Sequence, residues 1–243
     1  MFSAKAKSRL ASVMLAGAVL AAPVAAMAGV VVKSTGPSSS KYPVGAKVDD
    51  DATITLKAGD SVTVLTSKGT KVMKGAGTFN VGEKPKATRA RFAALTRTRN
   101  ANRVRTGAVR GAETGAEPTN PNLWYVDVTQ GGTICLTDLS EVRMWRPSTE
   151  GIATYSVADS SSGASVDVTF DESESVAPLD PAILSLTAGT PYSVTGPEQG
   201  SAQVTITFVQ LDQEYSEADQ LAEALVAAGC LSQVELLADR LGG

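Results

Sequence analysis

From Gly29 onward, apolar and polar residues alternate in short runs broken by glycine, the pattern of strands with one face in a core. Residues 30–32 open the first run. Ala52, Ile54 and Leu56 then alternate with Thr53, Thr55 and Lys57. The triplet Ala58-Gly59-Asp60 predicts a hairpin turn into residues 62–65. Ser67-Lys68-Gly69 turns again into a strand near residues 71–73, and Gly75-Ala76-Gly77 precedes a last one at 78–81. Further along, Trp124, Val126 and Val128 alternate with Tyr125, Asp127 and Thr129. Apolar-rich runs follow at 133–137, 142–145, 153–157, 166–170, 192–195 and 204–209. About seven short strands at this spacing predict a β-sandwich.

At the C-terminus the period changes to that of helices. From about Glu217, with Ser216 as N-cap, Leu221, Ala224, Leu225 and Ala228 share one face, and Gly229 ends the run as C′. A second helix is expected from Ser232, with Glu235 completing a capping box and Val234, Leu237, Ala238 and Leu241 on one face. The fold class is therefore mostly β: a small antiparallel N-terminal β unit (29–82), a basic linker (83–122), and an acidic β-sandwich with two short terminal helices (123–243).

Residues 1–28 follow neither period. Lys5, Lys7 and Arg9 precede an apolar run from Leu10 to Ala28 that ends Ala26-Met27-Ala28 before Gly29. A basic start, an apolar middle and a small-x-small end predict a cleavable secretory signal peptide. The other reading is a retained anchor, although Gly17 and Pro23 interrupt the run. No later stretch is apolar enough to span a bilayer, so the expected location is periplasmic or secreted. Two cysteines, Cys135 and Cys230, are an even number for an oxidising compartment and are expected to form a disulfide; the alternative is two unrelated buried thiols. If Ile134 and Leu136 face the sandwich core, Cys135 faces away from it, and the helix pair must cover that outer face.

Composition narrows the chemistry. The chain has no histidine, which excludes Ser-His-Asp and Cys-His nucleophile–base pairs and any His-containing zinc site. Two cysteines cannot build a four-thiolate zinc site. The Ser-x-x-Lys string at Ser38 and Lys41 lies between Pro37 and Pro43, with no Ser-Asp-Asn or Lys-Thr-Gly after it, and reads as a loop. Asp49-Asp50-Asp51 would alternate faces on a strand. Asp212, Glu214, Glu217 and Asp219 lack the calcium-loop spacing and fit helix initiation better. Asp171, Glu172 and Glu174 read as a solvated loop. No catalytic residue, cofactor or metal ligand is expected. Arg143 and Arg146 flank Trp145 and read either as a ligand or partner site or as a core tryptophan with arginines balancing nearby acids.

The linker carries the densest charge. Lys84, Lys86, Arg89, Arg91, Arg97, Arg99, Arg103, Arg105 and Arg110 are nine of the 22 basic residues, and Glu83 is the single acid among residues 83–110. Phe92, Leu95 and Val104 are its few larger apolar residues, and a fraying helix is expected around 87–95. The segment reads as a solvated linker or as an arm for a polyanion such as anionic lipid or polysaccharide, gaining affinity by counterion release. Arg89, Arg91, Arg97, Arg99, Arg103 and Arg105 are the candidate contacts. No aromatic interleaving supports base stacking, so no nucleic acid is expected.

The run Leu56-Lys57-Ala58-Gly59-Asp60-Ser61-Val62-Thr63-Val64, followed by Gly69-Thr70-Lys71 and Gly75-Ala76-Gly77-Thr78-Phe79, resembles the β-repeat of FecR-type periplasmic domains. The whole chain, with Trp124, Cys135 and Trp145-Arg146-Pro147, is similar to exported proteins of Gram-negative bacteria. The resemblance implies a periplasmic interaction module whose partner is another envelope protein. The expected function is thus non-catalytic interaction or scaffolding. Polyanion binding through 84–110 is the alternative, and a carboxylate-dependent glycan enzyme a more distant one.

Overall fold

The computed structural model describes residues 29–49, 51–83, 87–97, 118–198 and 202–242. The expected signal peptide lies outside them. The N-terminal unit is built from β1 (Gly29–Thr35), β2 (Lys47–Val48), β3 (Thr53–Leu56), β4 (Ser61–Thr66), β5 (Gly69–Lys74) and β6 (Gly77–Asn80). One sheet has the order β2-β1-β4-β5; β3 and β6 form a two-stranded second layer. The expected hairpin at Ala58-Gly59-Asp60 is corrected here. The turn forms, with the Asp60 amide donating to the Lys57 carbonyl (3.1 Å), yet β3 pairs with β6 while β4 pairs with β1 and β5. Packing explains the departure: crossing to the second layer lets Ile54 and Leu56 face Val31, Val62, Val64 and Met73 in a closed core. The turn at Ser67-Lys68-Gly69 does join paired strands, β4 and β5.

Asp60 holds this unit's long loop. It is 3% exposed, and its carboxylate accepts from the Ser38 amide (2.9 Å) and the Lys57 amide (2.6 Å). Hydrogen bonds from Ser38, helped by these amides, hold its pKa below the ordinary aspartate value. A depressed carboxylate contributes stability above its unfolded pKa and loses it as pH falls through the folded one. Asp60→Asn should therefore lower the thermal midpoint at pH 7 and flatten the acid limb of the stability–pH profile below pH ~4, where the unfolded aspartate titrates. A melting series against pH checks this.

The C-terminal unit comprises β7 (Tyr125–Asp127), β8 (Gly132–Leu136), β9 (Arg143–Trp145), β10 (Ala153–Asp159), β11 (Ser165–Phe170), β12 (Val176–Pro178), β13 (Pro191–Thr195) and β14 (Val204–Gln210). A five-stranded sheet, β11-β10-β13-β14-β8, packs on a three-stranded sheet, β12-β9-β7. Val126, Met144 and Ala177 of the small sheet meet Val157, Phe170, Tyr192, Ile206 and Phe208 of the large one in a shared core. Two pairs, β14–β8 and β7–β9, are parallel, which simple alternation does not reveal.

Arg146 closes the end of this sandwich. It is 2% exposed, and its guanidinium donates to the carbonyls of Glu174 (2.8 Å), Gly151 (2.8 Å) and Asp171 (2.9 Å) while lying 5.3 Å from the Phe170 ring centre. The expectation that this arginine balances a nearby acid is corrected: its hydrogen bonds go to the main chain of the 171–174 loop and of Gly151.

Two helices, α2 (Ala218–Ala227) and α3 (Leu231–Gly242), follow the sandwich. The α2 cap falls one residue later than expected, and α3 begins before its expected cap. Glu217 is the N-cap of α2, without a side-chain capping bond, and α3 opens immediately after Cys230, before Ser232 can cap it. Gly229 (φ 78°) ends α2 in the left-handed conformation anticipated for a C′ residue. Ile134 and Leu136 point into the sandwich, and Cys135 points outward and bonds Cys230. Beside that bond, the buried Gln233 amide accepts from the Cys135 amide (2.7 Å) and donates to the carbonyls of Cys135 (2.8 Å) and Leu123 (2.9 Å). The side chain thus replaces a neighbouring strand along β8.

The helices have the N-terminal sheet on their other side. Val30, Val32 and Leu65 join Leu221, Leu225, Val234, Leu237 and Leu241 in one core that also contains Cys135 and Cys230. Each fully buried leucine there contributes about 1.5–3 kcal/mol. The approach is close: a Cβ on Gly45, in the β1–β2 loop, would lie 2.5 Å from Val226 Cγ1 of α2. Lys47–Glu223 (2.8 Å) and Lys33–Asp239 (2.6 Å) ion pairs rim this core. The helix pair is therefore shared between the two β units.

Candidate functional site

The expected solvated linker contains one packed element. The short helix α1 (Arg89–Leu95) buries Phe92 and Leu95 in the same shared core as α2 and α3. An α-helix leaves its last carbonyls without internal partners, and here residues 122–124 supply them. The Leu123 amide donates to the Leu95 carbonyl (3.0 Å), the Trp124 indole to Thr96 (2.8 Å), and the Asn122 side-chain amide to Arg97 (3.0 Å). Arg240 of α3 donates to the carbonyls of Thr119 (2.9 Å) and Asn120 (2.8 Å). The chain thus leaves this point after Arg97 and returns to it by Asn120, so the basic segment between is anchored at both ends.

Of the candidate arginines, Arg89, Arg91 and Arg97 are described and exposed, while Arg99, Arg103 and Arg105 lie outside the described residues. Arg89 pairs with Glu217 at 3.4 Å while 84% of its side chain stays exposed. Ser38 and Lys41 occupy a turn, where the Ser38 amide binds Asp60 and Lys41 lies over Tyr42. The acidic run 212–219 leads into α2, with Asp219 in its first turn. No group of three or more metal-ligating side chains occurs among the described residues.

A second feature escaped the sequence reading. A cleft of about 270 Å³ opens between α3 and the strands β7, β8 and β9. Tyr125 and Asp127 lie on one face of β7, opposite Val126, and Asp127 is in register with Trp145 of β9. Glu235 and Asp239 of α3 line the facing wall, both within salt-bridge distance of Lys33 (3.4 and 2.6 Å). Asp127 Oδ1 accepts from the Thr129 amide (2.8 Å) and hydroxyl (2.6 Å), yet burial dominates and pushes its carboxyl pKa up. A raised carboxyl favours the fold below the ordinary aspartate range and loses that contribution as pH rises through the folded value. Burial thus disfavours the ionised form of Asp127, while the two hydrogen bonds from Thr129 favour it. The signal was present in the strict alternation of residues 124–129, which places Tyr125 and Asp127 together. What it could not place was Trp145, 18 positions away from Asp127 and brought beside it by a parallel pairing. No family model, curated protein or solved structure matches the chain.

Proposed function

We propose that the protein is a non-catalytic interaction or scaffolding protein of the cell envelope, exported by residues 1–28, which presents its basic segment to another envelope protein. The anchoring of that segment at both ends supports this reading most strongly: three carbonyls at the end of α1 are held by residues 122–124. Fixing the two ends of a partner-binding segment in advance reduces the conformational cost of association. Export is supported by the buried Cys135–Cys230 bond, which suits an oxidising compartment. Among the described residues no helix is long and apolar enough to cross a membrane. The FecR-like reading of 29–82 belongs to the same proposal.

A second reading, binding of anionic lipid or polysaccharide, draws on the exposure of Arg89, Arg91 and Arg97 beside the further arginines of the segment. Replacing Arg99, Arg103, Arg105 and Arg110 together by glutamine leaves Phe92, Leu95 and the anchors intact. Under the first reading this variant loses an envelope partner recovered by in vivo crosslinking, while wild-type binding to anionic vesicles is negligible at physiological salt. Under the second, wild type binds phosphatidylglycerol vesicles with steep salt dependence, and the variant binds at least tenfold more weakly. Unchanged crosslinks and vesicle binding in the variant would remove the basic segment from both.

A further inference from the structure

We propose that the cleft between α3 and β7–β9 binds one ring of an uncharged saccharide. Trp145 is 4% exposed and lines the cleft, and its indole N–H makes no hydrogen bond among the described residues; the Tyr125 hydroxyl and the Gln130 amide likewise have no side-chain partner there. Asp127 uses one carboxylate oxygen for Thr129, leaving the other as an acceptor. A ligand that fills the cleft meets a donor at Trp145 and an acceptor at Asp127 within one small space. A hydroxyl satisfies both. An ammonium or guanidinium group has donors only and would leave the indole N–H unsatisfied. An anionic sugar would meet Asp127, Glu235 and Asp239, with Lys33 already committed to the last two. The volume, about 270 Å³, lies at the small end of pockets that enclose a single compound.

The test is a calorimetric and tryptophan-fluorescence titration of the full chain from Gly29. The probes are neutral trisaccharides of glucose and of N-acetylglucosamine, trigalacturonic acid and arginine amide. A saturable response to a neutral trisaccharide, unchanged between low and high salt, is expected. Asp127→Asn and Trp145→Phe should each weaken it about tenfold or more, the loss of one hydrogen bond to a charged group or in a buried site. Asp127→Asn keeps the acceptor for Thr129 and removes the buried charge, so its melting temperature should match or exceed wild type, separating lost binding from lost fold. The proposal is overturned if neither neutral trisaccharide gives a saturable response, if only arginine amide or trigalacturonic acid does, or if both variants bind as wild type does.

Discussion

The double variant Cys135→Ala/Cys230→Ala is expected to be about 4–5 kcal/mol less stable than the parent chain, the chain-entropy value for a loop of roughly this size. The bond spans 95 residues and lies wholly within the part of the chain that forms the sandwich and the helix pair. Both sulfurs are fully buried in the shared core, so alanine leaves no unsatisfied polar group and the effect reads chiefly on the unfolded chain. Cys230 sits between α2 and α3, so the bond fixes the helix hairpin on β8 at its turn. Gln233 and the apolar faces of the helices remain, and the variant should still fold at moderate temperature. Urea unfolding of oxidised parent and variant measures the difference. A loss below about 1 kcal/mol would mean that the helices are held without help from the bond, and would contradict its assigned role.

Arg146→Met should be the next most damaging change, at about 3 kcal/mol or more. Methionine keeps much of the apolar volume over Phe170 but removes three part-buried hydrogen bonds from a charged donor to the carbonyls of Gly151, Asp171 and Glu174, each worth about 1.5–3 kcal/mol. The loop it holds contains Ser173 at φ 67°, a left-handed conformation that a non-glycine residue adopts at a cost. Arg146→Lys should rescue little, since a single ammonium cannot reproduce the fork that reaches three carbonyls. Thermal melts of both variants check the order. A lysine variant as stable as wild type would mean that charge, and not fork geometry, is what the loop requires.

Much of the β architecture was legible because it rests on local pattern. Thr53–Leu56 and Ser165–Phe170 alternate without exception, and their apolar members are the buried ones. Chain order misled at the turn of Gly59, where the tight turn is real but the pairing follows layer packing. The parallel pairings of β14 with β8 and β7 with β9 are non-local and leave no short-range trace. The shared role of the helix pair did leave one: the continuous run Val30-Val31-Val32 is what a strand covered on both faces looks like. Val31 faces β3 and β6, while Val30 and Val32 face the helices. The candidate sites divide in the same way. The arginines of the basic segment are read straight from composition, whereas its anchoring depends on Asn122 and Trp124 meeting the end of α1, and on Arg240 holding Thr119 and Asn120, across the chain.

The helix pair forms a core common to both β units. Splitting the chain between Arg97 and Pro118, and coexpressing residues 29–97 with 118–243, tests this directly. Because Val30, Val32, Leu65, Phe92 and Leu95 bury themselves against α2 and α3, the two pieces should copurify as a one-to-one complex and melt in a single transition. Leu237→Asp in the second piece, which places a charge at a fully buried position, should abolish the complex. Two pieces that separate on size exclusion, each folded and melting alone, would show two independent β domains and contradict the shared core.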